Sequence, residues 1–194
     1  MSEPSSLYMR VNLTKNQLEA FKNSPLVAPS HYQDWRSWLN TKKFYGQITD
    51  AEIQAMNPAT SLARSEMRTV GDYVARLLQD AYVGPSQAQY DAPSNTWTLC
   101  VMQLSENFKA FILILSILRG IAAYKDLPGE DFILIYPYLW EETPEAHVDA
   151  YVTITPGSSR LINDIPGEAM NEANQMLGQV LDEFEKSYND DLSG

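Results

Sequence analysis

Glu145, His147 and Asp149 stand two residues apart in the segment WEETPEAHVDAYVTIT, Trp140 to Thr155. Alternate residues of a β-strand share one face, so the three side chains converge if the strand begins as early as Glu145. Carboxylates so placed hold a hard cation, and a histidine beside a carboxylate makes an acid–base pair. A metal-binding or hydrolytic enzyme built on Glu145, His147 and Asp149 is therefore one function class. The plainer alternative is that outward positions of a half-exposed strand beside a turn are polar by default.

The rest of the chain offers that chemistry little support. It has no GxxxxGK[ST] phosphate loop, no GxGxxG turn, no HExxH, no CxxC and no GxSxG. With two histidines and one cysteine, zinc sites rich in His and Cys are nearly excluded. A Ser/His/Asp triad stays open because its members meet only in space, but nothing promotes any one serine. Cys100 alternates with bulky apolar neighbours in TWTLCVMQL and reads as core, and a lone cysteine fits a reducing compartment. His31 reads as a first-turn helix residue without a role. No cofactor is expected.

Charge is the more informative feature. The net charge of −11 divides into +2 up to Lys125 and −13 from Asp126 to Gly194, where only Arg160 and Lys186 oppose the acids. Phosphate binding needs Lys and Arg for counterion release, so this region is unsuited to nucleic acid. It suits a cationic partner, whose encounter it would steer. Glu141, Glu142, Glu145 and Asp149 cluster in one expected hairpin, and Asp182, Glu183, Glu185, Asp190 and Asp191 near the C-terminus. Tyr136, Tyr138, Trp140 and Tyr151 lie among the hairpin acids. Aromatic anchors set in acidic surroundings suit an interface with a basic protein.

The elements that must carry these residues follow from periodicity. LYMRVNL alternates as a half-buried strand, and Thr14 with Gln17 forms a capping box for a helix ended by Pro25. Ser30 with Gln33 reads as a second box, before a helix with Tyr32, Trp35, Trp38 and Leu39 at helical spacing. Thr49 starts a short helix, and SLARSEMRTVGDYVARLLQDAYV forms a long amphipathic one, with Arg64, Arg68 and Arg76 on its solvent side. GPSQAQYDAPSN, residues 84–95, reads as a loop and the best internal boundary of a single domain spanning 1–194. TWTLCVMQL is a central strand, and Ser105 caps a buried helix across FILILSIL, with a strand there as the rival. DFILIYPYLW is a strand in which Pro137 points to an edge or bulge, and AHVDAYVTIT alternates with His147, Asp149, Tyr151 and Thr153 outward. The last helix follows Pro166 and buries Met170, Ala173, Leu177, Val180, Leu181 and Phe184. The order predicts an α+β fold: a mixed or antiparallel sheet of about four strands with helices packed against it. The polar, acidic start MSEPSS lacks a secretory pattern, and eight apolar residues are too few for a span, so a soluble cytoplasmic protein with no membrane partner is expected.

WEETPEAHVD, the acidic LDEFEKSYNDD and the opening strand–helix LYMRVNLTKNQLEAF give the chain the general character of the immunity proteins of bacterial polymorphic toxin systems, which it resembles. The resemblance implies a non-enzymatic inhibitor that occludes the active site of a basic cognate toxin domain, often a nuclease, with carboxylates standing in for phosphate. The partner-binding residues expected on this reading are Glu141, Glu142, Glu145, Asp149 and Tyr151. A third class is a scaffold or adaptor subunit, homo-oligomeric through the aromatic-rich HYQDWRSWL helix.

Overall fold

Alternation in the first strand sets the architecture. β1 (Ser5–Asn12) sends Leu7, Met9 and Val11 to one face and Tyr8 to the other, and both sets are buried. The computed structural model, which describes residues 4–42, 48–58, 67–140 and 147–193, places β1 at the centre of one open antiparallel sheet. The other strands are β2 (Ser86–Asp91), β3 (Thr96–Ser105), β4 (Asp131–Tyr136), β5 (Ala150–Thr155) and β6 (Ser158–Ile162), in the order β2-β3-β1-β4-β5-β6.

The fold is α+β, as expected, but the sheet has six strands where about four were expected. Both additions are edge strands. β2 lies in the 84–95 stretch expected to be a loop; it pairs along β3, with Asn95 in a left-handed conformation (φ 53°) at the turn between them. β6 follows the Pro156–Gly157 turn, where Gly157 takes the positive φ of 72° that the tight reversal needs. An edge strand buries little side-chain surface, so SQAQYD and SSRLI lack the apolar alternation of the inner strands. Pro137 marks neither an edge nor a bulge within a strand. It lies just past Tyr136, the last paired residue of β4, which sits between β1 and β5.

Among the described residues, five helices cover one face: α1 (Lys15–Lys22), α2 (Trp35–Leu39), α3 (Asp50–Ala55), α4 (Val70–Gln79) and α5 (Phe108–Arg119). α1 starts on the Thr14–Gln17 capping box, as expected, and α3 on a second box of Thr49 and Glu52. α4 starts on Thr69 and Asp72, so Met67 precedes the helix rather than lying in it; Arg64 falls outside the described residues. Ser30 caps no α-helix, because it sits within a 3-10 turn (Pro29–His31) and α2 begins only after Asp34. FILILSIL is helical. Its cap is Asn107, which accepts the Lys109 N–H at 2.8 Å, while Ser105 accepts the N–H of Asn107 itself at 3.0 Å.

Among the described residues, α6 (Gly167–Ser193) is the helix that covers the second face, and the Pro166 carbonyl accepts the N–H groups of Ala169 and Met170 at its start. Ala169, Met170, Ala173, Leu177 and Val180 pack on Tyr8, Cys100, Met102, Phe132, Leu134, Tyr136 and Tyr151. Each fully buried large aliphatic contributes ~1.5–3 kcal/mol. Cover on both sides explains why β3 and β4 are apolar on both faces. No helix among the described residues is long and apolar enough to cross a membrane.

Candidate binding surface

Of the expected contact residues, the structure describes only Asp149 and Tyr151. Glu141, Glu142 and Glu145 lie outside the described residues, and with them the Glu145–His147–Asp149 set as a whole; His147 is exposed. Asp149 accepts a hydrogen bond from the Ser5 hydroxyl, and its carbonyl takes the Trp38 indole N–H at 2.9 Å. Lys42 donates to the adjacent Val148 carbonyl at 2.7 Å; burial lowers the pKa of this lysine and the Asp149 charge opposes that shift. Asp149 is thus held by groups on the α2 side of the sheet, away from α6.

Tyr151 faces opposite to Ala150 and Val152, as alternation requires, but that face is not solvent. α6 covers it, leaving the residue 4% exposed with its ring 5.8 Å from Phe132. Burial, and then the charge of Glu130, raise the Tyr151 pKa. As an open contact residue Tyr151 is excluded. Trp35, Trp38 and Leu39 are likewise core, which removes them from any oligomer interface of the HYQDWRSWL segment.

Folding also withdraws acids from the surface by pairing late carboxylates with early cations. Asp131 meets Lys125 at 2.5 Å and the Asn12 N–H at 2.9 Å in a buried site. Glu172 takes Arg10 at 3.1 Å and the Tyr8 hydroxyl at 2.7 Å. Burial, followed by the Glu172 hydrogen bond, raises the Tyr8 phenol well above its usual range.

A third ion pair closes one edge of the sheet. Arg119 is 1% exposed, grips Asp34 through both terminal nitrogens at 2.9 and 2.7 Å, and stacks 4.0 Å over the Tyr32 ring. Burial pushes the Tyr32 phenol up to about 12, with the Arg119 charge opposing the rise. The same two residues reach the outer backbone of β6. Asp34 accepts the Leu161 N–H at 2.9 Å, and Arg119 donates to the Ser159 carbonyl at 3.0 Å. One outward N–H and one outward carbonyl of β6 are therefore occupied.

Several late acids stay on the surface, among them Asp126, Glu130, Asp164 and Glu168, and a further set lies on the distal turns of α6. Among the described side chains Val180 is the last buried one of α6, and beyond it Asp182, Glu183 and Glu185 are exposed with Lys186 the one cation among them. Phe184, expected in the buried face with Leu181, is 49% exposed, Tyr188 is 58% exposed, and their rings stack at 6.4 Å. The apolar spacing continues unbroken through this part of the helix, so the sequence holds no signal of where the sheet stops. A groove of about 380 Å³ runs between these turns and the start of β2, lined by Leu78, Pro85, Gln87, Val180, Glu183 and Phe184. Gln87 donates to Glu183 across it at 3.4 Å.

The exit of β4 adjoins the same helix. Burial and the Asp182 charge raise the Tyr138 pKa, and Trp140 follows in an exposed position. Tyr138 thus lies within the influence of a helix acid, Asp182, whereas Asp149 is held on the α2 side. Among the described residues no group of three or more His, Cys, Asp and Glu is arranged to hold a metal ion. Comparison of the chain with protein-family models, with curated proteins and with solved structures finds no match.

Proposed function

We propose that the chain is a non-enzymatic binding protein, an immunity-type inhibitor that covers the active site of a basic toxin domain. The observation that carries this reading is the pair of stacked, solvent-facing rings of Phe184 and Tyr188 set among Asp182, Glu183 and Glu185 on a helix anchored by its buried first half. Exposed aromatics supply desolvated anchors, and unpaired acids steer a cation-rich partner. Pairing of Asp131 in the interior and of Glu172 at the half-buried Arg10 sharpens the contrast, since among the described residues the acids of distal α6 form no ion pair with a cation of another element.

The test is growth rescue. Cells expressing a basic toxin-type domain encoded beside this chain should survive when it is co-expressed. Reversal of two acids, E183K with E185K, should slow association at least tenfold and flatten its dependence on salt. Failure of the wild-type chain to rescue would overturn the inhibitor reading, and rescue undiminished by the double reversal would remove distal α6 from the contact.

A further inference from the structure

We propose that β2 is a docking edge, and that the partner's basic segment binds as an added antiparallel strand along it, with alternate side chains entering the groove beneath α6. The inference rests on the binding-protein reading and specifies how that surface engages its partner.

The backbone register makes the first part of the case. Met102 donates to the Pro85 carbonyl at 3.1 Å, and the pairing continues from Ser86–Val101 to Asp91–Thr96. Antiparallel ladders alternate bonded and non-bonded pairs, so Gln87, Gln89 and Asp91 bond β3 while the N–H and C=O groups of Ser86, Ala88 and Tyr90 point away from the sheet. Among the described residues β3 is the sole strand neighbour of β2. At the other end of the sheet, Asp34 takes the outward Leu161 N–H of β6 and Arg119 donates to the outward Ser159 carbonyl. A buried ion pair thus blocks part of one edge, while no described strand pairs with the outer side of β2.

Natural edge strands are commonly blunted by lysine, internal proline or a bulge. SQAQYD has none of these, and its register with β3 is unbroken. Strand addition uses such an edge: backbone bonds supply affinity, and pockets for alternate side chains supply selectivity. Here the groove beside Pro85 and Gln87 supplies the pocket, with Glu183 and Phe184 on its α6 wall. Tyr82, in the turn leading to β2, is 91% exposed. Three of the four large exposed hydrophobics among the described residues, Tyr82, Phe184 and Tyr188, thus belong to the two segments that border this groove.

Charge decides the occupant. A second copy pairing β2 with β2 would bring two sets of Asp182, Glu183 and Glu185 together, and like charges across an interface are strongly disfavoured. An extended segment with Lys or Arg at alternate positions meets those acids instead.

The probe is a synthetic eight-residue peptide alternating Lys with Val and Thr, alongside a length-matched control with Glu in place of Lys. Binding is read by fluorescence anisotropy and by amide hydrogen exchange. The Lys peptide should bind and protect the amides of Ser86, Ala88 and Tyr90, while the Glu peptide should not. A88P removes an outward donor and leaves every bond to β3 intact, so the edge tolerates it; it should weaken binding at least tenfold. F184A, which spares the backbone, should weaken it severalfold and serves if A88P does not fold. Absence of Lys-peptide binding, equal binding of the Glu peptide, or protection confined to other strands would overturn the proposal. So would a concentration-dependent dimer that protects the same amides without peptide, since a second copy would then own the edge. Loss of strand addition with rescue intact sinks this inference alone; loss of rescue with strand addition intact sinks the toxin-inhibitor reading alone.

Discussion

Lys125→Met tests how the fold accommodates its late acids. Lys125 and Asp131 are 0% and 1% exposed at the side chain and 2.5 Å apart. At an effective dielectric of ~20 their attraction is roughly 7 kcal/mol, but each ion loses several kcal/mol of hydration on burial. The pair is therefore near neutral as a whole, while either ion alone is expensive. Methionine replaces the lysine stem and removes the charge. Asp131 then keeps the Asn12 N–H at 2.9 Å and Arg10, whose Nε lies 3.9 Å away and has no hydrogen-bond partner among the described residues. The Asn12 carbonyl loses the Lys125 donor. Breaking a buried pair costs ~3–5 kcal/mol, and the nearby Arg10 places K125M at the lower part of that range. For a chain of this size the loss corresponds to a fall in Tm of about 6–20 °C.

The second half of the test is K125M with D131N. Asparagine still accepts the Asn12 N–H, and no uncompensated charge is buried, so the double variant should regain at least ~1.5 kcal/mol over K125M. Urea unfolding followed by both circular dichroism and tryptophan fluorescence measures the differences, with coincident transitions and equal m-values confirming that they compare like with like. A K125M cost under ~1 kcal/mol, or a D131N penalty that simply adds to it, would refute the reasoning.

Two further outcomes follow from individual groups. The Thr49 backbone N–H and Lys109 hold the Glu52 carboxyl at about 2, below its ordinary 4.5; a depressed carboxylate stabilises the fold fully above about 4.5 and loses that contribution as pH falls toward 2. The Tm difference between wild type and E52Q should therefore shrink across that window, and a difference independent of pH would contradict it. Burial under α6 pushes the Cys100 thiol up to about 12, so a disulfide reagent at mildly alkaline pH should label the protein only after urea unfolding; rapid labelling of the native state would show that α6 opens readily.

Local patterns were legible wherever one residue's neighbours in sequence decide its role. Thr14 and Gln17 form the box their spacing announces, and the helical period of Phe111, Ile112, Leu115 and Leu118 outweighed their β-propensity. β2 and β6 were hidden because an edge strand is defined by a partner on one side and not by its own composition. Phe184 and Tyr151 show a deeper limit. Periodicity assigned each to a face, but whether that face meets solvent depends on how far α6 runs past the sheet and on which strands it crosses. Similarly, nothing near Glu172 in the sequence points to Arg10, 162 positions away, or removes its charge from the late acidic block.

The same geometry favours one end of the molecule for the proposed recognition. A sheet with helices on both faces offers a partner only its edges and whatever helix extends beyond them. The β6 edge is obstructed, because Asp34 and Arg119 take the Leu161 N–H and the Ser159 carbonyl that an added strand would need. On the α2 side, Asp149 is already engaged by Ser5 and faced by Lys42, so its charge is answered within the fold. Distal α6 lies past the last buried turn among the described residues, and its acids meet solvent beside the β2 edge. Among the described residues, outward backbone donors, exposed rings and negative charge coincide there because α6 reaches that edge where its burial against the sheet ends.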